Sequence, residues 1–558
     1  MRPLDWLVLA SSLIFIVLYG MYKGRGSNTV KRYLLADKTM PWYAMGLSIM
    51  ATQASAITFI STTGQAYVDG MRFVQFYFGL PLAMVILCAT AVPLFHRSGV
   101  YTAYEYLEKR FDAKTRALAS VIFLIQRGLA VGLALYAPAI VLAVLFGWPD
   151  RVTTLIMGVL VIIYTVAGGI QAVTWTDVQQ MLIIFLGLIV ALVTVIALLP
   201  ADVGLGGALY LAGQMGRLNA VDFSFDWNNR YNVWSGLIGG MFLSLSYFGC
   251  DQSQVQRYLT GKSISQSRLS LLFNAVAKVP MQFFILFIGA MVFVLHVFEQ
   301  PPMLFQPEAR AKFASMSQAG EIRGKFDQAF ERRKGAATGL LAARAEGDSR
   351  KTETLRQEYR SAQRDLDSAR HRGGSLVEKD YNDTNYIFLG FVIERMPAGV
   401  VGLVIAAIFA AAMSTISAEV NSLATVTVID IYQRHIRRGA SDRHYLLASR
   451  WATALWGAYA VMFAEYGRNL GSLIEAVNMI GSLFYGSLLG VFALAFFFPK
   501  VTGSGAFWGI LAGEAAIFSA QAAGVSFLWF NVVGCVATVA IGLTISWFGP
   551  PSQPHRTD

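Results

Sequence analysis

Residues 406–432 read AAIFAAAMSTISAEVNSLATVTVIDIY. The segment opens as a lipid-compatible helix of small and apolar residues, then places Ser414, Thr415, Ser417, Glu419, Asn421 and Ser422 where a membrane span ordinarily carries Leu or Val. Polar groups gathered at bilayer depth are unfavourable unless each faces protein, water or a bound ion. Ser414 and Thr415 present two adjacent hydroxyl oxygens. With no soft ligand nearby they suit a hard cation such as Na+, and Ala410, Ala411 and Ala412 let another backbone approach closely enough to complete the shell. The plainer alternative is that these hydroxyls bond carbonyls of their own helix, as Ser and Thr commonly do in membranes.

The rest of the chain fits a membrane setting. Of its 558 residues 55% are hydrophobic and only 14% charged, and the mean hydropathy is +0.51, which predicts an all-α integral membrane protein in contact with the lipid bilayer. A formal net charge of +11 would otherwise suggest nucleic acid. The basic residues cluster instead in short loops between apolar runs, where they set orientation, so a nucleic-acid partner is not expected. Cys88, Cys250 and Cys535 lie in apolar segments without CxxC or metal-like His spacing. The stretch 5–26, DWLVLASSLIFIVLYGMYKGRG, lacks a small-residue cleavage pattern and reads as a retained first helix.

About thirteen spans of roughly 20 apolar residues are expected. They centre on 5–22, 42–66, 73–96, 117–146, 152–168, 175–200, 233–255, 271–297, 398–428, 447–466, 471–498, 504–522 and 526–548. The basic loops Lys23 to Lys38 (including Arg25), Arg97 to Arg116, Arg257 to Arg268 and Arg434 to Arg443 fall on one side. Placing that side in the cytoplasm puts the N-terminus outside and the C-terminus, ending GPPSQPHRTD, inside; a bacterial inner, plasma membrane is preferred. Residues 301–383 break the pattern with charged helical stretches such as SRKTETLRQEYRSAQRDLDSARHR, and read as an extracytoplasmic helical hairpin between two spans. Such a face either binds a partner or is simply solvated.

Two spans look broken. In 41–66, PWYAMGLSIMATQASAITFISTTGQA, the run from Ala51 through Gln53 and Ala54 to Ala56 loosens the helix and exposes carbonyls that could meet a cation together with Ser414 and Thr415; small residues at a helix contact are the alternative. In 236–259, GLIGGMFLSLSYFGCDQSQVQRYL, glycines and serines precede Tyr247, and Asp251-Gln252 follow. Two interrupted helices opening two five-helix groups predict an inverted-repeat transporter. The division is then an extra N-terminal helix and loop at 1–40, a first repeat at 41–230, a second at 231–500 holding the 301–383 insertion, and two C-terminal helices within 501–558.

Three ionisable groups lie deep. Asp177 and Lys278 either act in function, or merely snorkel to the cytoplasmic surface or pair structurally. Arg127 lies about ten residues, roughly 15 Å, into its span. A carboxylate-bearing solute, or a fixed partner such as Glu419, would satisfy it. No ATP-binding, HExxH or GxSxG motif is present, so an enzyme is not expected and an ion gradient is the available driver.

The stretches AGGIQAVTWTDVQQ, YFGCDQSQVQRYLTGKS, MSTISAEVNSLATVTVIDIY and GSLLGVFALAFFFPK resemble the sodium/solute symporter family, which includes sodium/glucose, proline, iodide and monocarboxylate cotransporters. The resemblance implies the leucine-transporter-type 5+5 inverted repeat and alternating access driven by Na+. It implies a main Na+ site from the carbonyls of Ala51, Ala54 and Ala411 and the hydroxyls of Ser414 and Thr415. Asp177 with Ser417 matches a second cation site found in some members, but Ala418 stands where those members have another serine, which favours a single Na+. In the pocket, Thr58, Tyr77 and Ser244 replace the residues that bind sugar, which speaks against a hexose. Lys278 and Asn478 match polar pocket positions, Tyr247 matches the inner gate, and Gln53 lies in the broken segment. With Arg127 and Lys278 both available, a small organic anion is the favoured solute. A proton-coupled symporter using Asp177 or Glu419, and a transporter-like membrane sensor, are the alternatives.

Overall fold

The computed structural model describes residues 2–23, 29–465 and 472–548. Arg25 of the first basic loop and the tail 549–558, which carries the expected cytoplasmic C-terminus, lie outside them. The described residues are mostly helical, with one isolated bridge between Met40 and Gly261 and no strand. Among them eight helices are long and apolar enough to cross a bilayer, and Trp42–Gln53 with Ala56–Asp69 makes a ninth span bent by 56°. The expected count of about thirteen is therefore not confirmed. Helices do form at Asp442–Ala464 and Gly503–Ala522, outside the set meeting that apolar standard, and Ser235–Gly249 is apolar but short.

The runs expected at 152–168 and 175–200 fold as one element, Asp150–Ala197, with a break at Gly169 (φ 65°, ψ 176°). That backbone region is open essentially to glycine alone. A Cβ there would also lie 2.8 Å from the Tyr33 ring.

Both predicted interruptions are present. Trp42–Gln53 ends where Ala54 leaves helical geometry (φ −89°, ψ 66°), and Ala56–Asp69 starts after extended Ser55. Helix Gly240–Gly249 ends at Cys250, and Gln252–Leu259 restarts with the Asp251 carboxylate accepting the Ser253 N–H at 2.8 Å. That acceptor satisfies one of the amides a new helix leaves without an internal partner.

The organising helix, Val400–Val426, is buried along nearly its whole length. Its start is pinned by the first helix, Pro3–Lys23: Asp5 Oδ1 accepts the N–H groups of Gly399 at 2.6 Å and Gly402 at 3.1 Å. A carboxylate there also complements the positive end of the helix dipole. The insertion forms the expected hairpin, Ala319–Glu346 and Ser349–Val377, joined through Gly347. It is more than a solvated face. Fully buried Arg333 donates to Gln363 Oε1 at 2.6 Å and to the carbonyl of His296 in the membrane body.

Candidate ion and solute site

The broken helix and the hydroxyl helix meet at the break. Thr415 Oγ1 donates to the Thr52 carbonyl at 3.1 Å, in the turn where a helix end leaves carbonyls without intrahelical partners. Ser414 Oγ donates to Asp177 Oδ1, and Ser48 Oγ, from the broken helix, donates to Asp177 Oδ2. The Arg257 guanidinium lies 3.4 Å from Asp177 Oδ2. Asp177 is fully buried, so it does not snorkel. Ala51, Ala54 and Ala411 are fully buried in the helices that meet here. Ser417, which the resemblance pairs with Asp177, donates to the carbonyl of Ser414 at 3.0 Å, the back-bonding habit of Ser in membrane helices.

Because the Ser414 and Thr415 protons go to Asp177 and Thr52, their oxygen lone pairs remain free to accept a cation. Among the described residues no group of three or more His, Cys, Asp and Glu could hold a metal. The donor set at the break is peptide and alcohol oxygen with one carboxylate close by, which fits a hard monovalent ion.

Next to this cluster is a cavity of about 80 Å3 lined by Gln53, Thr58, Tyr77, Arg127, Tyr247 and Asn478, together with Thr415 itself. Space of that order holds several waters or a compact solute. Ser244 and Lys278 do not line it; Leu243 and Tyr247 present that face of their helix instead. Lys278 is fully buried rather than snorkelling, its Nζ lies 5.6 Å from the centroid of the Tyr77 ring, and it has no hydrogen-bond partner. Tyr247 accepts from Gln254 Nε2 at 2.7 Å, and the Asn478 amide donates to the Ile474 carbonyl at 2.7 Å.

Arg127 is largely engaged. Nη1 donates to Glu419 Oε1 at 2.7 Å, and Nη2 donates to Asp251 and, at 2.6 Å, to the Tyr485 hydroxyl. The Tyr485 hydroxyl in turn donates to Asp251 Oδ2 at 2.8 Å. Of the two ways to satisfy Arg127, the fixed partner is therefore realised by Glu419, which weakens the reading of Arg127 as an empty anion receptor. Asp251 carried a signal in the sequence as the polar residue after the second break. Gln126 and Tyr485, which also line the cavity, carried none, because only the fold brings residues some 360 positions apart together.

A helical membrane body with two broken helices, an ion-compatible cluster at one break and a solute-sized cavity beside it is the architecture of an inverted-repeat secondary transporter. The family model described as "Sodium:solute symporter family" matches residues 33–317 and 369–513. The chain belongs to the sodium:solute symporter family. It is 27% identical over 556 residues to the sodium-dependent multivitamin transporter of Oryctolagus cuniculus, covering 99% of this chain and 73% of that one. It is 27% identical over 545 residues to the sodium/sialic acid symporter NanT of Aliivibrio fischeri, covering 97% and 92%. It is also 27% identical over 514 residues to sodium-coupled monocarboxylate transporter 1 of Xenopus laevis, covering 92% and 70%. A solved structure of a Na+-coupled sialic acid symporter, substrate-bound and outward-open, superposes with a TM-score of 0.76 at 24% identity over 99% of both chains. That likeness carries the leucine-transporter-type fold. The relatives are transporters rather than enzymes, and membership of the family makes Na+ the coupling ion.

Proposed function

We propose that this chain is a Na+-driven symporter that imports a small carboxylate-bearing organic solute by alternating access. The observation that carries the reading is the double position of Thr415, which bonds the broken helix at Thr52 and lines the solute cavity. An ion held by the carbonyls of Ala51, Ala54 and Ala411 and the hydroxyls of Ser414 and Thr415 would steady both helices at that contact. The cavity wall beside it would then be set for the solute. Asp177 with Ser417 is the candidate for a second cation.

A carboxylate is supported by the relatives named for monocarboxylates and sialic acid, and by the donors left around the cavity. Arg127 Nε and Gln126 Nε2 are buried and without partners. We place the protein in a plasma membrane, the bacterial inner membrane by preference, with the N-terminus outside, the C-terminus in the cytoplasm and the 301–383 insertion on the outer face. The two repeats are assigned to 41–230 and 231–500.

Reconstituted into liposomes, the protein is expected to accumulate solute only with an inward Na+ gradient. Uptake should collapse when Ser414→Ala and Thr415→Ala are combined. Accumulation that is equal with choline or K+ outside would refute Na+ coupling.

A further inference from the structure

Several acceptors around the cavity have no partner. Arg127 and Glu419 are the only charged residues lining it among those described. Behind Arg127 stands Asp251, fully buried and in direct contact with the same guanidinium. One guanidinium thus faces two carboxyl groups, of which only Glu419 lines the cavity. Lys278 lies near the Tyr77 ring and outside the cavity wall.

Glu419 is engaged through only one of its two oxygens. Its Oε1 accepts from Arg127 at 2.7 Å, whereas Oε2 is buried and has no hydrogen-bond partner. A carboxylate oxygen left unpaired at low dielectric is costly, and a protonated nitrogen arriving with the solute would remove that cost. The cavity offers further acceptors for the same group. Gln53 Oε1 and Gln126 Oε1 are also buried without partners, and Gln53 and Gln126 line the same space as Glu419. A plain anion brings no donor for any of these acceptors.

Resting on the symporter reading above, we infer that the solute is a zwitterion, its carboxylate held by the remaining donors and its protonated N–H group held by Glu419 Oε2. Glu419 is then the residue that separates amino-bearing solutes from simple carboxylates. It sets specificity through direct contact, one helical turn beyond Thr415 on the same face.

The test compares solutes that differ by one amino group, L-alanine with propionate and γ-aminobutyrate with butyrate. The purified full-length protein is followed by thermal shift at neutral pH, in NaCl and in choline chloride. At least one amino-bearing member is expected to bind on the order of tenfold to a hundredfold more tightly than its partner, as for a hydrogen bond to a charged group. In Glu419→Gln the preference should vanish or reverse. The wild-type comparison needs no variant, so a poorly folding substitution does not remove the test. Equal shifts within both pairs, no shift from either amino-bearing member, or an unchanged preference in Glu419→Gln would overturn the inference. Loss of Na+ dependence with the amino preference intact would sink the symport reading instead.

Discussion

Thr415 Oγ1 and the Thr52 carbonyl lie 3.1 Å apart, so the hydroxyl helix is fastened to the last turn before the break in its neighbour. Thr415→Ala removes that bond and one proposed Na+ ligand together. The half-saturating Na+ concentration for uptake is expected to rise tenfold or more, in line with the roughly 1.5–3 kcal/mol of a hydrogen bond involving a charged group. Thr415→Ser keeps the oxygen and should stay near wild type. An equal effect from both substitutions would assign the role of Thr415 to packing alone.

Asp177 joins three elements, accepting from Ser48 and Ser414 with Arg257 at 3.4 Å. In Asp177→Asn the amide retains only one oxygen to accept with, and the cation loses its counter-charge. Removing one partner of a buried pair costs about 3–5 kcal/mol. Thermal denaturation should therefore show a clearly lowered midpoint. A midpoint matching wild type would show that the contact does not support the fold.

Much of this was legible in the sequence for a specific reason. Ser414, Thr415 and the Ala51 to Ala56 run are polar or small where the bilayer asks for bulk and apolarity, so each announced itself locally. Arg127 announced a need for a partner, and Glu419 was among the candidates. What stayed hidden depends on long-range packing. Nothing local showed that Asp251 and Tyr485 would close on the same guanidinium, or that Ser244 and Lys278 would turn away from the cavity. The span count stays unconfirmed for another reason: hydropathy does not separate a short or moderately polar helix packed within the bundle from one meeting lipid.

Gly169 breaks Asp150–Ala197 with a φ of 65° and a ψ of 176°. Gly169→Ala forces a side chain into a backbone region costing about 1–3 kcal/mol, and the new Cβ would be 2.8 Å from the Tyr33 ring. A reduced denaturation midpoint is expected, whereas Gly99→Ala, whose Cβ would meet nothing within 4 Å, carries only the backbone strain. If Gly169→Ala proved the milder of the two, the close approach to Tyr33 would have no energetic consequence.

Glu108 lies in the loop helix Ala103–Arg110, outside the spans. Burial pushes its pKa up, but hydrogen bonds from Arg434 and Arg116 outweigh that and hold it below its ordinary value. A depressed carboxyl contributes stability that is present above the unfolded pKa and is lost as pH falls through the folded one. Glu108→Gln should thus be less stable than wild type at neutral pH, and the gap should close in acid, below about pH 4. A gap constant across that range, read from denaturation midpoints, would exclude an ionic origin.

Arg127 provides the means to separate stability from transport. It divides its fork between Glu419 and Asp251, and a Lys, as a compact point charge, does not reproduce two directed contacts. Arg127→Lys is expected to lose uptake and to lower the denaturation midpoint. Arg127→Met should be worse, since it leaves two buried carboxylates without a counter-charge, a loss of about 3–5 kcal/mol for a broken buried pair. Adding Asp251→Asn and Glu419→Gln to Arg127→Met removes both stranded charges and should recover most of the stability while uptake stays absent. Recovery of uptake in that triple variant would show that the charged cluster serves the fold alone, and failure to recover stability would show that Arg127 matters through its packing rather than its charge.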